Sequence, residues 1–161
     1  MHVVECDADV ALVRVLTSLS RRRVVCVVGR SQVLKKLIRK YTDSIGMIDQ
    51  DPHTVHSRKY IERFREVEYP ERFRLKVLHH NRSNNRLIVL CPRLEEWIIA
   101  ASGESNIHLN RYNLSHNPEQ LHAIINIKTD QFQRLVKELM QSSQRVQALR
   151  DLLRERTRRS H

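Results

Sequence analysis

Residues 24–51 read VVCVVGRSQVLKKLIRKYTDSIGMIDQD. Residues 24–28 form a continuous, mostly β-branched apolar run, which predicts a strand buried on both faces. Gly29 closes the run, and Ser31 is a candidate helix cap. Val33, Leu34, Leu37, Ile38 and Tyr41 then recur at helical spacing and make one apolar stripe. Residues 45–48 (IGMI) are a second short apolar run, which ends in Asp49-Gln50-Asp51-Pro52. Strand, helix, strand in this order is a crossover unit joining parallel neighbours.

The unit extends in both directions. Residues 2–5 (HVVE) are a short apolar run ending in acid. Asp7 or Asp9 is placed to cap a following helix that carries Val10, Val13, Leu16 and Leu19. The first third therefore reads strand, helix, strand, helix, strand. Downstream, a short helix is expected around residues 59–67. Strand-like runs follow at 73–79 and 86–90, joined by His80-Asn81-Arg82-Ser83-Asn84-Asn85 as a hairpin or a looser loop. Pro92 opens a helix through Trp97, and Pro118 opens another. From Thr129, the residues Phe132, Leu135, Leu139, Val146, Leu149 and Leu153 follow three- and four-residue steps. This predicts one long helix whose seam packs on the domain or pairs with another helix. The expected architecture is α/β: a Rossmann-like, mostly parallel sheet flanked by helices over 1–127, with a C-terminal helical extension and basic tail over 128–161.

The 161 residues carry 29 Lys+Arg against 18 Asp+Glu, a formal net charge of +11. Of the 29 basic residues 22 are Arg, which favours bidentate phosphate contacts. A polyanionic partner, DNA or RNA, is the expectation from charge. Arg30, Lys35 and Lys36 after the second strand, and Arg82 and Arg86 around the 80–85 connector, are the candidate contacts. Cys6, Cys26 and Cys91 fit neither a disulfide framework nor a zinc site and are expected as buried thiols. No apolar run is long enough to span a bilayer. The start, MHVVECDADV, has acids where a signal peptide has basic residues, so a cytoplasmic location is expected.

Against the positive total, Glu5, Asp7, Asp9, Asp49 and Asp51 gather at predicted strand ends. Functional groups collect at the carboxyl ends of parallel strands. Two acidic clusters there repel each other unless a cation lies between them, and a hard dication such as Mg2+ or Mn2+ prefers carboxylate oxygen. Asp49 and Asp51 are two apart and point the same way in extended backbone. A plainer reading makes Asp7 or Asp9 a helix cap and 49–52 a turn.

Val3-Val4-Glu5-Cys6-Asp7-Ala8-Asp9 resembles the first motif of the TOPRIM fold, a strand ending in Glu with an Asp four residues on. Met47-Ile48-Asp49-Gln50-Asp51 resembles the second, Asp-x-Asp after a strand. The resemblance covers roughly residues 2–91 and is closest in character to the OLD-like nucleases. It implies a metal-dependent nuclease with Glu5, Asp49 and Asp51 as catalytic residues and Glu5, Asp9, Asp49 and Asp51 as ligands to Mg2+ or Mn2+. OLD-like members often carry a further acid on the helix after the last strands; here Glu95, at the border of that helix's apolar face, is the candidate to reach the metal, directly or through water. Such domains commonly work with an ABC-type ATPase, often in phage defence. The C-terminal helix would then offer a docking or dimer surface. Cys6 stands where the family usually has Gly, and Pro52 follows the second motif. No Walker A loop appears, which argues against nucleotide hydrolysis through that motif, and no DNA-gate or primase zinc module appears, which argues against topoisomerase and primase. The alternative is a non-catalytic nucleic-acid- or protein-binding module of the same fold. A receiver-like phosphoacceptor domain would need a Lys at the fifth strand end, and Leu90-Cys91-Pro92 offers none.

Overall fold

The computed structural model describes residues 1–50 and 57–155. Its strands are β1 (His2–Val4), β2 (Val24–Cys26), β3 (Ile45–Asp49), β4 (Arg65–Val67), β5 (Leu75–His80) and β6 (Asn85–Leu90). Its helices are α1 (Asp7–Thr17), α2 (Arg30–Arg39), α3 (Arg58–Ile61), α4 (Leu94–Glu104), α5 (Pro118–Ile125), α6 (Thr129–Ser142) and α7 (Gln144–Arg154). The strands form one sheet in the order β2-β1-β3-β6-β5-β4. β1, β2, β3 and β6 run parallel, while β4 and β5 pair antiparallel on the far side. The fold is thus α/β with a mostly parallel sheet flanked by helices, and 80–85 is the expected hairpin of its two alternatives.

Alternation along the strands explains the layers. Val4, Met47, Val77, Ile88 and Leu90 face one core, together with α1 and the helices from α4 onward. Val3, Ile48, Leu78, Leu87 and Val89 face the other, against α2 and the Tyr60–Phe64 segment. Successive side chains of a strand point to opposite faces, so neighbouring residues serve different cores. Gly46 marks the tightest approach. A Cβ there would stand 2.3 Å from Leu37 Cδ1 and 3.3 Å from Leu87 Cδ1. Only the absence of a side chain lets α2 lie this close to β3.

Four expectations are corrected. The 24–28 run is an edge strand of three residues, with Cys26 exposed and Val28 90% exposed. β-Branched composition reports extended backbone, whereas sheet position follows from which strand neighbours which. Cys6 and Cys91 are half-buried rather than fully buried. The 59–67 helix stops at Ile61, because Arg65–Val67 instead hydrogen-bonds along β5 as a charged edge strand. The long C-terminal helix breaks at Ser143, whose backbone is extended and whose Oγ accepts the Val146 amide at 3.2 Å to cap α7.

That break folds α7 back on the domain. Phe132, Leu135, Leu139, Val146 and Leu149 are fully buried in the core that α1 and α4 share. The seam is used inside the chain, so of its two alternatives it packs on the domain. Polar anchors hold α7 as well. His2 Nε2 lies 2.9 Å from the Leu153 carbonyl oxygen, and Arg154 Nε donates to the Leu16 carbonyl at 2.7 Å. Among the described residues no helix is long and apolar enough to cross a membrane.

Candidate functional site

In a sheet ordered 2-1-3, the chain leaves β1 to one side and returns to its other side as β3. The crevice between their carboxyl ends is where open α/β sheets bind ligands. Glu5 directly follows β1, and Asp49 is the last residue of β3. The two motif acids therefore flank this switch point.

The turn after β1 brings a third carboxylate in. Cys6 is the N-cap of α1 and makes no side-chain cap bond. Asp9, in the first turn, instead accepts the Glu5 amide on Oδ2 at 3.3 Å, a local bond that closes the strand-to-helix turn. Asp9 is 6% exposed. Its carboxyl is pushed up to about 8 by burial first, and then by the charges of Asp49 and Glu5, against the pull of the Cys6 thiol.

Asp49 is the hub. Its Oδ1 accepts the Leu94 amide at 2.9 Å, and its carbonyl accepts Arg30 Nη1 at 3.3 Å. Burial pushes the Asp49 carboxyl up to about 7, with Glu95 the next cause, while the Leu94 amide and Arg93 oppose the rise. Glu95 is buried, and its Oε1 lies 2.6 Å from His122 Nδ1 on α5. α5 is set by Asn117, which caps it on Gln120, and by Pro118 at its first turn. Asn126 at its end accepts the Ala8 amide at 3.2 Å, tying α5 to the start of α1. Arg93 bridges Glu96 and Glu119 at 2.6 and 2.9 Å, so the rim of the crevice is pinned by an ion-pair triad.

Glu5, Asp9, Asp49 and Glu95 thus belong to one electrostatically coupled acidic end of the sheet. Asp51 lies outside the described residues. The donor set suits a hard dication in kind, since it is all carboxylate oxygen. In arrangement, no group of three or more His, Cys, Asp or Glu among the described residues is placed to hold a metal ion. Glu95 turns to His122, and Asp49 is engaged as a cap.

The expected nucleic-acid contacts divide. Arg30 reaches the site through the Asp49 carbonyl. Lys35 and Lys36 sit further along α2, about 7.5–9 Å down the helix axis from Arg30, and the Lys35 ammonium stands 5.6 Å over the Tyr60 ring. Arg82 is exposed in the β5–β6 turn, at the opposite end of the sheet. Arg86 is a correction. It is 7% exposed, donates from Nη1 to the Leu152 carbonyl at 2.9 Å and pairs with Glu155 at 3.1 Å. A nucleic-acid contact was expected from its place beside the turn, but β6 is central and packed on both faces, and Arg86 points into the packed layer under α7. His122 and Asn126 were not anticipated, because neither carries a motif and both reach the site only through the placement of α5.

Comparison with family models, with curated proteins and with solved structures found no match to this chain.

Proposed function

We propose that this chain is a metal-dependent nuclease of TOPRIM type that cuts phosphodiester bonds in DNA or RNA. One observation carries the reading. Two acids, Glu5 and Asp49, end neighbouring parallel strands at the switch point, and Asp9 is buried beside them so that their anions oppose one another. Groups held in this conflict are stabilised as anions by a dication. No three of the described acids converge as they stand, but Glu5, Asp9 and Asp49, with Asp51, would supply the carboxylate oxygens for Mg2+ or Mn2+, which when bound would polarise the phosphodiester and favour ionised water. Glu95 would act through its hydrogen bond to His122, fixing the far wall of the crevice. Arg30, held at the Asp49 carbonyl, would meet the negatively charged strand. The OLD-like resemblance supports an ABC-type ATPase as a working partner, and DNA or RNA as substrate.

A second reading is a non-catalytic binding module of the same fold. The Asp49 cap on α4 and the Glu95–His122 bond favour it, since both give the acids structural work. Incubation of labelled single- and double-stranded DNA and RNA with Mn2+ or Mg2+ separates the two. Wild-type cleavage that EDTA stops, and that Glu5→Gln and Asp49→Asn each reduce by about 100-fold or more, supports the nuclease. Equal cutting by wild type and both variants marks a contaminant and removes the assignment. No cutting by any of them, with an ATPase partner supplied, leaves the binding module.

A further inference from the structure

The end of the sheet remote from the acids has the opposite character. An open cleft of about 900 Å³ lies between the last turn of α2, the segment entering β4 and the β5–β6 turn. Arg39 and Lys40 line it from α2, Arg63 and Arg65 from beside β4, and Arg82 from the turn. His79 and His80 form part of its floor, and no Asp or Glu is among the described residues that line it. All five cationic side chains are exposed. Burial lowers the pKa of His79 and His80, and the next causes are Arg86 and Arg65 for the first and Arg63 and Arg82 for the second. The guanidinium charges act in the same direction as burial, with Glu155 opposing them at His79.

The cleft is built rather than incidental. Asn85 is fully buried at the start of β6 and donates from Nδ2 to the Leu37 and Tyr41 carbonyls, the latter at 2.7 Å. Its Oδ1 accepts the Ser44 amide at 2.7 Å. Ser83 Oγ donates to the Leu37 carbonyl at 3.3 Å and lies 2.7 Å from His80 Nδ1. These bonds lock the α2 end to the turn. They also occupy the Leu37 carbonyl in the last turn of α2, where a free carbonyl would repel an anion.

We propose that this cleft binds the phosphate backbone of a single-stranded nucleic acid. Five exposed guanidinium and ammonium groups exceed what one phosphate needs, and they are dispersed over three segments, as a chain of phosphates requires. Their exposure leaves them hydrated and their counterions releasable, the source of polyelectrolyte affinity. Arg21, Arg22 and Arg23 precede β2 and stand at the same end of the sheet. Four strand spacings separate β2 from β5, so the basic end extends roughly 19 Å across the sheet. Half-buried Tyr41 also lines the cleft, with the Lys40 ammonium 5.5 Å over its ring. A duplex is read by elements that project into its grooves, whereas this surface is concave. The inference does not rest on the cleavage reading, because the cleft and the carboxylates occupy opposite ends of the sheet.

The test is fluorescence anisotropy of the whole chain with a labelled single-stranded oligonucleotide, in EDTA and over a range of KCl. The triple variant Arg63→Ser, Arg65→Ser, Arg82→Ser is compared with Arg72→Ser, Arg134→Ser, Lys137→Ser, which removes the same charge from exposed positions elsewhere. Binding by wild type, a loss of about tenfold or more in the cleft variant, and a fall of about 2 in the slope of log affinity on log salt support the proposal. The control triple must stay within about threefold of wild type. Equal loss in both triples, no loss in the cleft variant, or displacement by polyglutamate as effectively as by unlabelled oligonucleotide overturns it. Matching circular dichroism of the variants confirms that folding is not what changed.

Discussion

Asp49 Oδ1 accepts the Leu94 backbone amide at 2.9 Å across 45 residues of sequence, so the last residue of β3 caps α4. The local N-cap, Arg93, makes no such bond with its side chain. A carboxylate placed here serves the first-turn amides and the positive helix end together. It also couples any chemistry at the switch point to the position of Glu95, one residue further on. Cap and site are the same atom group.

Substitutions at Asp49 separate these roles. Asp49→Asn keeps an acceptor oxygen and is expected to stay within about 0.5 kcal/mol of wild type. Asp49→Ala loses the cap and is expected to cost about 1 kcal/mol. Urea unfolding in EDTA measures both. A cleaving enzyme is disabled by either variant, whereas a binding module suffers only from the second.

Arg86 and Arg82 lie four residues apart and are expected to behave oppositely. Arg86→Ala removes a buried guanidinium whose partner Glu155 is largely exposed, and leaves the buried Leu152 carbonyl without its donor, a cost of about 3 kcal/mol. Its thermal midpoint falls by about 6–12 °C, with little change in oligonucleotide affinity at temperatures where it is folded. Arg82→Ser weakens affinity and leaves the midpoint in place. Calorimetry and anisotropy on the two variants check the contrast.

Gly46 and Gly103 also differ in sign. At Gly46 the added atoms meet Leu37 and Leu87 in a filled core, so Gly46→Val is expected to destabilise by about 2–3 kcal/mol. At Gly103 in α4 an added Cβ meets nothing within 4 Å. Gly103→Ala is therefore expected to stabilise by about 0.5–1 kcal/mol through helix propensity. Thermal melts of the pair show whether β3 and α2 are as close as described.

His2 supplies a pH dependence. Burial lowers its pKa below the ordinary 6.5, outweighing the bond to the Leu153 carbonyl. The unfolded chain then binds the proton more readily than the folded one. The stability this group carries is complete above about 6.5 and is lost as pH falls through the lower folded value. Compared with wild type, His2→Gln is expected to lose less stability between about pH 7.5 and 5.5. The difference between their urea midpoints at the two pH values measures it. Identical pH slopes would show that His2 is solvated and that α7 does not cover it.

Much of the architecture was legible in the chain. The short apolar runs, the α2 stripe and the 129–153 seam depend on a few neighbouring residues each, and local dihedral preference with burial is enough to specify them. The gathering of Glu5, Asp9 and Asp49 at strand ends is of the same kind, since strand boundaries follow from local pattern. Sheet order was not local. β2 became an edge strand, residues 65–67 joined β5, and Ser143 turned α7 back, each because a remote surface offered a better partner. The pairing of Asp49 with Leu94, of Glu95 with His122 and of Arg86 with Leu152 required the helices to be docked first. The same holds for the basic cleft, whose cations come from three separate segments. Sequence alone determined which elements form and where charge accumulates along them. Tertiary structure decided which charges meet, because burial and partnership depend on distances that only the packed layers create.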